Sequence, residues 1–146
     1  MESLTLALPT DYRSADVFAF HSRDAEGVAE QVAPGRIRKA VMLDGAPVLF
    51  DVALEEGCAQ CTVDAPRGKA VGAHAHEALM GMLGLRIDPA PFMRAARKDA
   101  LLGPVVKRLP GLRIVQSASV FEALTWAIIG QQINMSFAIA LRRTFI

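Results

Sequence analysis

Two cysteines and two histidines are the first side chains in this sequence that could act together. Cys58 and Cys61 form a CxxC, and twelve residues separate Cys61 from His74. That opening imitates a Cys2His2 zinc site. A single residue parts His74 from His76, however, where such sites use about three to five. Strand residues three apart also point to opposite faces, which carries the two sulfurs away from each other. A redox CxxC opens a helix, whose dipole lowers the thiol pKa; this one lies among strand-formers. The pair reads as two buried structural cysteines, and no metal or organic cofactor is expected. His76-Glu77 begins an HExxH pattern that Met80 leaves incomplete, and no phosphate-cradling glycine loop is present. Ser14, Ser22, Ser117 and Ser119 have no base beside them, and Asp16, Asp24 and Asp99 are isolated acids. Helix capping or solvation accounts for all of them.

Gln131-Gln132 withstands the same scrutiny. An amide side chain carries donors and an acceptor, so it can fill the gap left when a base leaves its stack, or bond to groove edges. The competing reading is a polar turn that happens to hold two amides. Around the pair, residues 117–146 read as two helices joined by an elbow. Ser119 with Glu122 three residues on makes a capping box ahead of an apolar run. Val120, Phe121, Leu124, Ala127 and Ile128 share one face, while Trp126 and Ile129 make the other side apolar. That pattern predicts a helix enclosed by neighbours, with Trp126 in the core. Gly130 is expected as the C′ residue that stops it, and Asn134 or Ser136 as the cap of the next helix. The second helix carries Ile133, Phe137, Ala140, Leu141 and Phe145 as a stripe, with Arg142 and Arg143 in its last turn.

Upstream, Leu4, Leu6 and Leu8 suggest a strand closed by Pro9, and Ser14 or Asp16 can start a short helix to His21. Strands are expected at Arg36–Leu43, at 48–54 and at 58–63, with Asp44-Gly45 as a hairpin turn between the first two. A helix should follow over 69–85, with Val71, Ala75, Leu79 and Met82 facing inward. Pro89 and Pro91 mark a joint. Beyond it a helix over 91–102 places Arg94, Arg97 and Lys98 on one face until Gly103-Pro104 breaks it.

The chain has 146 residues, enough for one good core or two small ones. No apolar run approaches the ~20 residues of a membrane helix. The start, MESLTLALPTDY, lacks a basic region and a cleavage pattern, so no secretory signal is expected, and reduced thiols fit a cytoplasmic setting. A net charge of +1 hides a split: 8 Lys+Arg against 13 Asp+Glu up to residue 90, then 8 against 2. An acidic first part and a basic second part suggest separate jobs, the second facing a polyanion. A solvated basic face is the plainer alternative.

Pro110-Gly111-Leu112-Arg113, Phe121-Glu122 and Ala127-Ile128-Ile129-Gly130-Gln131-Gln132, in that order, resemble the bacterial 3-methyladenine DNA glycosylase II family. That family belongs to the helix-hairpin-helix DNA glycosylases. Residues 12–20 and the meander over 36–64 are similar to its N-terminal domain. The resemblance implies an α+β fold: a small TATA-binding-protein-like antiparallel sheet with helices over 1–88, then the start of an all-α glycosylase domain over 89–146. It also implies roles. Gln132 matches the wedge that enters the minor groove as a damaged nucleotide flips out, Gln131 the neighbouring pocket-side amide, and Phe20 an aromatic that lines the base pocket.

The implied reaction is excision of an alkylated purine from double-stranded DNA, by a monomer in the bacterial cytoplasm, at the nucleoid. The flipped cationic base stacks on electron-rich rings, and an aspartate stabilises the oxocarbenium-like sugar. In the family that aspartate, the hairpin and a metal-assisted backbone contact all follow the GQQ block. They are expected beyond Ile146, so no catalytic residue is assigned within the chain. The final helix has no cap and keeps an apolar stripe outward, which predicts a truncated chain, inactive alone. A non-catalytic DNA- or protein-binding module is the alternative, and a thiol oxidoreductase with an exposed, low-pKa cysteine the third.

Overall fold

Alternating apolar residues with turn signals between them build the sheet. In the computed structural model, which describes residues 1–66 and 72–146, five strands form one antiparallel sheet. They are β1 (Glu2–Ala7), β2 (Glu30–Ala33), β3 (Arg36–Leu43), β4 (Ala46–Glu55) and β5 (Cys58–Asp64), in the order β1-β5-β4-β3-β2. Asp44 and Gly45 both take positive φ, 51° and 70°, and so close the β3–β4 hairpin with the twist its strands need. Register sets Ile37 opposite Val52, Val52 opposite Cys61 and Phe50 opposite Val63. These side chains point to one face, where α1 (Ser14–His21) and α2 (Gly72–Met82) cover them with Val17, Ala75, Ala78, Leu79 and Met82.

The sulfurs part as strand geometry requires. Cys61 is buried, and burial pushes its thiol up to about 11. Cys58 is only half-buried and sets its sulfur 3.8 Å from the Glu55 carboxylate. One cysteine is structural, not two, because residue 58 falls on the outward side of β5. No cluster able to hold a metal exists among the described residues. The start of the helix expected over 69–85, including Val71, lies outside the described residues.

Beyond the sheet come α3 (Ala90–Ala96), α4 (Leu102–Arg108), α5 (Val120–Ile129) and α6 (Met135–Phe145). The helix expected over 91–102 is thus shorter, and Gly103-Pro104 lies in the first turn of α4 instead of breaking a helix. The Asp99 carboxylate explains this: it accepts the N–H groups of Leu101 and Leu102 at 2.8 and 2.9 Å. Proline needs no N–H partner in a first turn. The chain then returns to the sheet. Gly111 (φ 71°) lets it pass, since a Cβ there would meet the Asp11 carbonyl oxygen at 1.8 Å. Gln116 N–H bonds to the Gly81 carbonyl at 2.9 Å, and Ala118 joins the core of the sheet. No helix among the described residues is long and apolar enough to cross a membrane.

Candidate nucleic-acid interface

The elbow is positioned from the foot of α5 upward. The Ser119 hydroxyl accepts the Glu122 N–H at 3.2 Å. The Glu122 carboxylate returns to the Ala118 N–H at 2.9 Å, one residue earlier than the usual capping box. Its other oxygen takes Lys39 Nζ from β3 at 2.6 Å and an Arg142 Nη from α6 at 3.1 Å. Glu122 therefore caps one helix, grips the next and ties both to the sheet. Lys39, 1% exposed, also donates to Glu30 at 2.5 Å. Glu30 in turn faces His21 Nδ1 at 2.8 Å, and His21 Nε2 faces the Met82 carbonyl at 3.0 Å. Burial works against ionisation of Glu30, but the His21 hydrogen bond and the Lys39 charge outweigh it and hold the carboxyl down at about 2.

These charges take the place of the enclosing neighbours expected for α5. No residue of α5 is buried, and Phe121 and Ile128 are 66% and 68% exposed. Polar anchors at its foot hold the helix, and Val120, Phe121, Leu124 and Ile128 stay exposed. Trp126 is half-buried and not core. The guanidinium carbons of Arg23 and Arg142 lie 5.1 and 5.0 Å from its ring centroid. Phe20, also half-buried, has the same Arg23 carbon 3.8 Å over its ring. Arg23 thus joins Phe20 to a residue one turn before Gly130. On α6 the buried side chains are Ala138 and Arg142, while Phe137, Leu141 and Phe145 stay exposed. Phe145 stacks on Phe121 with centroids 6.2 Å apart. Arg143 binds Asp24 and Glu26 at 2.5 and 2.6 Å.

The elbow turns differently from expectation. Gly130 keeps helical backbone (φ −75°, ψ −2°), so it is not a left-handed C′ glycine. Its small size matters because a Cβ there would lie 2.9 Å from the Trp126 carbonyl oxygen. The left-handed residue is Gln132, at φ 58°, with Asn134 beyond it capping α6 through the Phe137 N–H at 2.9 Å. A non-glycine residue in that region costs about 1 kcal/mol. Gln131 and Gln132 are both exposed, and neither side chain bonds to any described residue. Five cations, Arg94, Arg97 and Lys98 around the end of α3 and Lys107 and Arg108 at the end of α4, are exposed without an ion-pair partner among the described residues. Free cations of this kind bind phosphate by counterion release.

Comparison with known proteins adds a name to this geometry. No protein-family model matches the chain. A curated relative, the DNA-3-methyladenine glycosylase of Bacillus subtilis (strain 168), is 41% identical over 59 residues, which is 40% of this chain and 20% of that protein. The solved 3-methyladenine DNA-glycosylase from Archaeoglobus fulgidus superposes with a TM-score of 0.72. Both comparisons lead to 3-methyladenine DNA glycosylases. The structural match covers 93% of this chain and 47% of the solved one, at 24% identity. The chain therefore spans about half the length of the solved glycosylase, and its matched segment a fifth of the curated one. The α+β fold is that of the solved glycosylase.

Proposed function

We propose that this chain serves base excision repair in the manner of the 3-methyladenine DNA glycosylases, flipping an alkylated purine out of duplex DNA so that its N-glycosidic bond can be hydrolysed. Gln132 is the wedge, Gln131 the amide beside it, and Phe20 a wall of the base pocket. The observation that carries this reading is Gln132 itself. It is an exposed amide held in left-handed backbone at the tip of an elbow, between a helix end that needs glycine and a capped helix start. Backbone strain kept at an exposed polar tip serves no packing purpose.

The exposed cations of α3 and α4 supply phosphate contacts that orient the duplex without reading sequence. The alkylated base leaves as a good leaving group, and water adds to the sugar carbon under stabilisation by a carboxylate. Residues 133–146 hold no Asp or Glu. On this reading the 146 residues purified as such bind DNA as a monomer and release no base. A cytoplasmic, nucleoid-associated setting goes with this reading.

A duplex carrying 2-aminopurine beside an alkylated purine tests it. Binding should raise 2-aminopurine fluorescence as the stack opens. Gln132→Ala should bind the duplex with little change yet lose the fluorescence rise. Equal unstacking by Gln132→Ala, or no binding at all, would refute the wedge. Base release by the purified chain would refute the claim of inactivity.

A further inference from the structure

Three arginines sit near the foot of the elbow, and only two of them have counter-ions. Arg142 holds Glu122, and Arg143 holds Asp24 and Glu26. Arg23 makes no ion pair among the described residues; its Nε donates to the Phe20 carbonyl at 2.8 Å, and two aromatic rings hold the rest. Those rings come from distant parts of the chain, Phe20 on α1 and Trp126 on α5. Burial pulls the Arg23 pKa below the ordinary arginine value; Glu30 works the other way, Arg142 adds to the lowering, and Glu122 again opposes it. A cation has been taken partly out of water and given π-faces in exchange.

A site of that kind suits another planar cation. Guanidinium is flat, delocalised and weakly hydrated, which is why it stacks on aromatic faces. An N-alkylated purine ring shares all three properties and offers a larger face. A neutral purine offers the face without the charge, and so cannot replace the electrostatic part of what Arg23 supplies. Glu30 and Glu122, whose charges already act on Arg23, would act on an incoming cation in the same sense.

We propose that Arg23 is a removable plug in a site for a planar aromatic cation of the N-alkylated purine class, which takes the place of the guanidinium against Phe20 and Trp126. On displacement Arg23 swings outward, where its charge can meet phosphate. The plug makes the site selective, because only a ligand that brings its own positive charge recovers what is lost when the guanidinium leaves. The identity of the ligand rests on the base-excision reading above; the aromatic site does not.

Trp126 is the sole tryptophan, so its fluorescence reports directly on the site. The 146-residue chain is titrated with 7-methylguanosine at mildly acidic pH, where the methylated ring is cationic, and with guanosine as the neutral control. Arg23→Leu should be quenched by 7-methylguanosine at about tenfold lower concentration than the unsubstituted chain, as removal of an internal competitor that holds the site most of the time requires. Arg23→Lys, which keeps the charge without the plane, should fall between them. Phe20→Leu added to Arg23→Leu should abolish the gain, with far-UV circular dichroism confirming that each variant is folded. Identical midpoints for Arg23→Leu and the unsubstituted chain would overturn the proposal, as would an equal gain for guanosine. If the nucleoside titration behaves as expected while the duplex experiment fails, the aromatic site stands and the base-excision reading falls.

Discussion

Lys39→Met tests the idea that buried charge, rather than apolar packing, fixes the helical pair to the sheet. Methionine has similar length, so the change removes an ammonium and leaves little cavity. Lys39 lies 2.5 Å from Glu30 and 2.6 Å from Glu122, with all three side chains nearly out of water. Removing one partner of such a set leaves carboxylates without compensation, at a cost of about 3–5 kcal/mol. Here His21 still faces Glu30 and Arg142 still faces Glu122, so the lower end, about 3 kcal/mol, applies. For a chain of this size that lowers the melting temperature by roughly 10 °C. Urea denaturation followed by Trp126 fluorescence and by far-UV circular dichroism measures it. Glu122→Gln combined with Lys39→Met should cost at least about 1 kcal/mol less than the two single changes added together, because the pair acts as a unit. A Lys39→Met chain within about 1 kcal/mol of the original would refute the reasoning.

Acid provides an independent reading of the same cluster. Glu30 is held at about 2 against an ordinary 4.5, so its stabilising share is fully present above about pH 4.5 and is lost as pH falls towards 2. The loss amounts to about 3 kcal/mol, and Glu30→Gln should flatten that part of the stability profile in acid denaturation. Gln132→Gly should raise stability by up to about 1 kcal/mol, by relieving left-handed strain, while abolishing 2-aminopurine unstacking; a chain destabilised by glycine would contradict the backbone reading. Iodoacetamide at neutral pH should modify Cys58 in the folded chain and Cys61 only after denaturation. Rapid native labelling at both sites, read by mass spectrometry, would contradict the burial of Cys61.

The sheet was legible where two signals coincide. In β3 and β4 a two-residue period meets an Asp-Gly turn, and the strand ends fall where the turn chemistry puts them. β2 has only four residues, too few to show a period. The joint of α3 and α4 was hidden because Gly-Pro signals both the end of one helix and the start of another. Only the Asp99 carboxylate, whose partners are known once the chain is folded, decides between them. Lys39 was visible in principle: it occupies an inward position between Ile37 and Val41, where an alternating strand should have an apolar residue. A charge out of phase with the pleat announces a buried partner. Glu122 announced only its capping role, since nothing in local spacing says that its second oxygen meets residues 83 and 20 positions away. The elbow amides were found from type and neighbours alone, but the left-handed turn was assigned to Gly130. Glycine tolerates that backbone better than glutamine, and the structure departs from this preference at the residue proposed to act on DNA.

The hub at Glu122 has a mechanical meaning. A side chain driven between stacked bases meets an equal force pushing back along the helices that carry it. Were α5 and α6 joined to the rest of the chain only through flexible backbone, that recoil would fold the pair away and the stack would stay shut. Here the Glu122 carboxylate at the foot of α5 is tied through Lys39 to the hydrogen-bonded strands behind it, a path along which such a thrust would be carried. On the proposed reading, the sheet, remote from the bases, is the abutment against which a single amide would prise them apart.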